Sequence, residues 1–126
     1  MRDNVATRLF DIASIDTQIK YILHGTKDEY LLPSEMVDIL YYGCKYLMTE
    51  NDFNANELLL SQKIIDCIDK LNWDEIDKNS VEDLIYHNTA WINLRNTALE
   101  LLKLLGYSLD DFDEDGNLKN ERKSNV

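Results

Sequence analysis

Two cysteines and two histidines are the residues best suited to soft-metal chemistry in this chain. His24, Cys44, Cys67 and His87 fall on or near four successive apolar patterns, so a bundle could bring them to one zinc ion. Structural zinc sites take their ligands as close pairs such as C-x₂₋₄-C or H-x₃₋₅-H, and none is present. The expectation is therefore two thiols filling core space and two histidines at a helix end or a partly wet face. No nucleophile, base and orienting group can be assembled, and no glycine-rich loop of the GxxxxGK[ST] type occurs. With 24 Asp and Glu, any chosen pair of carboxylates is uninformative. No catalytic residue is assigned, and a non-enzymatic protein is expected, with a small helical enzyme or metal-binding regulator as a further alternative.

The segment Asp111-Phe112-Asp113-Glu114-Asp115-Gly116-Asn117-Leu118 carries side-chain oxygens at its first, third, fifth and seventh positions, glycine at the sixth and an apolar residue at the eighth. It resembles the first eight positions of an EF-hand or dockerin-type calcium loop, which implies Asp111, Asp113, Asp115 and Asn117 as ligands of a weak calcium site. The bidentate acid expected at position twelve is Arg122 here, and Glu121 lies one residue early. An ordinary solvated turn has the same composition, so no cofactor is expected beyond that calcium candidate. Arg95-Asn96, on an apolar helical pattern, resembles the start of the R-polar-x-x-x-H motif of HEPN-type helical ribonucleases. Glu100, Leu101 and Leu102 stand where the family's histidine would complete the site, so no role is carried over.

The elements that would position these residues are helices. One proline and four glycines leave few breakers, and apolar residues recur at three and four rather than two. The predicted fold is all-α, a single-domain bundle of four main helices at about 4–24, 33–50, 54–71 and 80–105. A fifth helical turn is expected near 108–112, closing a domain over 1–112, with 113–126 a polar, mobile tail. Val5, Leu9, Ile12, Ile15, Ile19, Ile22 and Leu23 form the first stripe, stopped at Gly25. Pro33 opens the second helix, whose core stripe is Val37, Leu40, Cys44 and Leu47, with Gly43 expected to admit a neighbouring helix closely. Asn54 and Glu57 form a capping box flanked by the staple Phe53 and Leu58, and Leu60, Ile64, Cys67, Ile68 and Leu71 give the third buried face. Ser80 with Asp83 resembles a second capping box before the longest helix, closed by Gly106. Asn88 and Arg95 fall beside that helix's apolar stripe. Arg95 is expected either to pair with an acid such as Asp16 or Asp38, or to snorkel outward.

Two surfaces stand out. On the second helix, Ile39, Tyr42 and Tyr46 form another apolar stripe, so that helix is expected to be central in the bundle or to carry an exposed tyrosine platform. Around the connection between the third and fourth helices, Asp66, Asp69, Asp74, Glu75, Asp77, Glu82 and Asp83 concentrate negative charge. Thirteen Lys and Arg against 24 Asp and Glu give a formal charge of -11, which disfavours direct binding to nucleic acid or to anionic membranes and either speeds association with a basic protein partner or simply keeps the protein soluble. At 126 residues, 44% apolar and 29% charged, with a mean hydropathy of -0.39, one solvated globular core is expected. No apolar run spans a bilayer and the start lacks a secretory pattern, so a cytoplasmic protein with reduced cysteines is expected. These features suggest a protein-binding accessory or inhibitory protein, similar in type to those of phages and other mobile elements, able to form a homodimer. The alternative is a nucleic-acid mimic whose carboxylates occupy a basic groove on a DNA- or RNA-binding protein.

Overall fold

The computed structural model describes residues 2–49 and 53–119, and among them every regular element is helical. The α-helices are α1 (Arg2–Ala13), α2 (Ile15–Gln18), α3 (Pro33–Met48), α4 (Ala55–Asp69), α5 (Trp73–Lys78), α6 (Val81–Tyr86) and α7 (Thr89–Leu104). A π turn over Ile19–Leu23 continues α2, and a 3₁₀ turn covers Leu109–Asp111. The chain is all-α, as its periodicity predicts. The four longer helices pack in a closed ring, α1 on α3, α3 on α4, α4 on α7 and α7 on α1. Trp91, Leu9, Ile12, Leu40, Ile64, Leu94, Leu101 and Leu102 are fully buried within it. No helix among the described residues is long and apolar enough to cross a membrane.

Asn54 caps α4 with the full box: its Oδ1 accepts from the Glu57 N–H, and Glu57 Oε1 accepts from the Asn54 N–H, each at 2.9 Å. Phe53 is buried, and Leu58 packs on the same core. At Ser80 only one half of the box forms: Ser80 Oγ accepts from the Asp83 N–H at 3.1 Å and caps α6.

Two helices expected to be continuous are broken. The first is interrupted at Ser14, whose backbone is extended and whose hydroxyl accepts from the Thr17 N–H to start α2. The last is interrupted at His87 and Asn88, where Asn88 Oδ1 accepts from the Trp91 N–H at 2.9 Å and opens α7. Ser and Asn compete for backbone donors in this way, which suits them to caps better than to helix interiors. The segment 72–79, which lies between the predicted third and fourth helices, contains α5, capped by Asn72 through the Glu75 N–H at 3.1 Å.

Gly43 has no atom within 4 Å of where a Cβ would stand, so it admits no close helix approach. Gly25 is the tight position. A Cβ there would collide with the Tyr21 carbonyl oxygen and lie 2.9 Å from Tyr30 Cβ, so glycine lets the chain turn back after the π turn. The side chain of Leu47 and residues 120–126, the latter within the expected tail, lie outside the described residues.

Candidate functional site

Ile39, Tyr42 and Tyr46 point away from the core, with 45%, 69% and 50% of their surface exposed. The expected central placement of this helix therefore gives way to the exposed platform. The opposite face of α3, through Val37, Leu40 and Cys44, is buried against α1 and α4, and the ring leaves its other side open. Tyr30 (53% exposed) and Leu32 (44%), in the loop before α3, extend the apolar surface. The Leu31 N–H donates to the Tyr21 carbonyl at 2.9 Å and ties that loop to the π turn. Between loop and helix lies a cavity of about 250 Å³, walled by Tyr30, Leu32, Met36 and Ile39. Arg8 and Asp11 of α1 and Glu35 of α3 also line it. Burial pushes the Asp11 carboxyl up to about 6, against a smaller opposing pull from the Arg8 guanidinium.

Asp66, Asp69, Asp74, Glu75, Asp77, Glu82 and Asp83 are all exposed, on the end of α4 and on α5 and α6. Among the described residues none lies within salt-bridge distance of a Lys or Arg. Asp74 and Glu75 occupy the first turn of α5, and Glu82 and Asp83 that of α6, where the helix dipole favours negative charge. Local helix electrostatics thus gives a reason for four of these acids without a partner.

The calcium-like segment folds back on α1. Phe112 stacks on Phe10 with ring centroids 4.5 Å apart, and a bridge joins Phe112 to Leu118. Gly116, at φ +85°, sits where a Cβ would be 3.1 Å from Asp11 Oδ1. Three of the four expected ligands each have one carboxylate oxygen in a hydrogen bond within the protein. Asp111 Oδ2 accepts from the Ser108 N–H at 2.9 Å, and Asp113 Oδ1 accepts from the N–H groups of Asp115 (2.9 Å) and Asn117 (3.0 Å). Asp115 accepts from the Tyr21 hydroxyl and lies 3.7 Å from Lys20 Nζ. The Tyr21 bond holds the Asp115 carboxyl below the usual carboxylate range and Tyr21 above its own. Among the described residues, no three of His, Cys, Asp and Glu gather closely enough to hold a metal ion.

The four soft-metal candidates are separate. His24 and His87 are exposed, Cys67 Sγ lies 3.8 Å from Thr97 Oγ1, and Cys44 is buried. Burial pushes the Cys44 thiol up to about 12, which makes it a poor nucleophile at neutral pH.

Among the described residues no acid lies within salt-bridge distance of Arg95. Its Nη1 donates to the Ile85 carbonyl at 2.8 Å and to Gln18 Oε1 at 3.4 Å, while Trp91 Nε1 donates to the same Gln18 oxygen at 3.1 Å. Gln18 Nε2 donates to the Ile12 carbonyl at 2.7 Å and reaches that of Asp11 at 3.5 Å. Asp11, Ile12 and Ile85 lie in the last turns of α1 and α6, where carbonyls have no intrahelical donor. The fully buried Gln18 and the half-buried Arg95 therefore close the two helix breaks. No local pattern in the sequence marks Gln18; the signal it does carry is Ser14 and Asn88, cap-forming types inside apolar patterns. Desolvation lowers the Arg95 pKa. Its hydrogen bonds are structural, and the ribonuclease-like pair Arg95-Asn96 acquires no catalytic partner from them.

Comparison with protein-family models, with curated proteins and with solved structures returns no match.

Proposed function

We propose that this chain is a non-enzymatic accessory or inhibitory protein that acts in the cytoplasm by binding another protein through the outer face of α3. The observation that carries this reading is the exposure of Ile39, Tyr42 and Tyr46 along one face of α3, with the exposed Tyr30 and Leu32 lining a cavity together with Ile39. Tyrosines presented on a rigid helix supply large contact area at little entropic cost, and aromatic residues dominate the energetics of protein interfaces. The acidic α4–α6 region adds a field that speeds the approach of a basic partner. The test is affinity capture from the native host with the natural chain and with a Tyr42→Ala, Tyr46→Ala variant. Both positions are exposed, so the fold should be preserved. The variant should retain about tenfold less of the specific partner; equal recovery by both chains overturns the reading.

The nucleic-acid mimic remains a second reading because the seven carboxylates are exposed and unpaired with Lys or Arg among the described residues. A mimic relying on many charge pairs loses affinity steeply with ionic strength, whereas a tyrosine-centred contact does not. Charge reversal at Asp74, Glu75 and Asp77 with unchanged partner binding removes the mimic.

A further inference from the structure

The cavity beside Ile39 has properties that narrow the kind of partner. Its volume, about 250 Å³, falls below the roughly 300–1,000 Å³ typical of small-molecule sites, so it suits one apolar side chain better than a cofactor. It opens beside a stripe at positions 39, 42 and 46, the spacing with which one helix presents a face to another. Two carboxylates, Asp11 and Glu35, line it against one guanidinium, Arg8, within a protein of net charge -11. A second copy of the chain would bring more negative charge to the same place, whereas a cationic segment would complement it.

We infer that the cavity and the adjoining α3 stripe receive a basic amphipathic helix of the protein partner, with one apolar side chain in the cavity and a Lys or Arg against Glu35 and Asp11. The inference rests on the α3 reading above and deepens it. The partner's remaining apolar residues run along Ile39, Tyr42 and Tyr46, in the helix-in-groove manner. Its cation compensates carboxylates that Arg8 alone balances incompletely.

The probe is a designed amphipathic helical peptide of leucine and lysine, fluorescently labelled and followed by anisotropy. A peptide of identical composition in scrambled order is the control. The ordered peptide should bind at least about tenfold more tightly than the scrambled one. Ile39→Asp should weaken it by about tenfold or more, although the added negative charge would strengthen a purely electrostatic attraction. Glu35→Lys should weaken it several-fold more than Glu75→Lys, which changes the net charge equally at a site outside the cavity. Equal binding of the two peptides, or equal effects of the two lysine substitutions, overturns the inference. Sedimentation that finds a dimer of the free chain abolished by Ile39→Asp assigns the face to a second copy and also overturns it. If the peptide fails while the Tyr42→Ala, Tyr46→Ala variant still loses its native partner, this inference falls and the α3 reading stands. If that variant keeps its partner, the α3 reading itself falls.

Discussion

At Asp11, removal of a carboxyl from water opposes the attraction of Arg8, and burial is the larger effect. The carboxyl has its ordinary value of 3.8 when unfolded and is pushed up to about 6 in the fold. Between those values the native state holds the proton that the unfolded state has released. Stability therefore falls as pH rises from about 4 to about 6 and carries the full penalty above that range. Asp11→Asn should stabilise the protein at pH 7 by on the order of 1–2 kcal/mol, after allowance for solvent screening, with the gain vanishing near pH 3.5. Urea unfolding at several pH values measures this, and a gain independent of pH would refute it. Nothing local marks Asp11 as special in the sequence. Its neighbours Glu35 and Gly116 come from distant segments, and the desolvation arises only when α3 and the 111–119 loop close over α1.

Among the elements, the two broken helices are the clearest case of tertiary structure overriding periodicity. Apolar spacing runs through Ser14 and through Asn88 without a gap, yet past Ser14 the buried residues are Thr17 and Gln18, while Ile15, Ile19, Ile22 and Leu23 of the expected stripe are only partly covered. The breaks persist because the freed carbonyls of Ile12 and Ile85 are recaptured by Gln18 and Arg95. Gln18→Ala should cost about 2–4 kcal/mol, as it leaves the Trp91 indole N–H and the Ile12 carbonyl buried without this partner and opens a void beside them. Thermal unfolding of this variant against the natural chain gives the value, and a loss below about 0.5 kcal/mol would show that the clamp is dispensable. By contrast, the start of α4 was legible because the signals at Asn54, Glu57, Phe53 and Leu58 are all local.

For the whole molecule, a net charge of -11 makes the compact state repel itself. Raising the salt from about 0.01 M to about 0.2 M shortens the Debye length from about 30 Å to below about 8 Å, and should raise the melting temperature by about 3–6 °C. A melting temperature that falls over this range would mean that specific ion pairs outweigh general repulsion. Among the described residues Lys20 pairs with Glu114 at 3.9 Å and with Asp115 at 3.7 Å, and solvent reaches all three side chains. General repulsion is therefore the larger effect expected.

The sequence by itself determined the helical class, the buried stripes of α1, α3, α4 and α7, the cap at Asn54 and the acidic character of the α4–α6 region. These follow from residue types and spacings within about one or two helical turns, where each side chain's neighbours are known in advance. Tertiary structure alone decided which of the two apolar faces of α3 would be covered. Both are apolar stripes at helical spacing, which leaves open whether the second is covered, but the ring of α1, α3, α4 and α7 closes on Val37, Leu40 and Cys44 and leaves Ile39, Tyr42 and Tyr46 outside. It also made the cavity between Tyr30 and Ile39, and it turned the calcium-like loop onto α1 by stacking Phe112 on Phe10. Such choices depend on which distant segments meet, and periodicity along one helix carries no information about that.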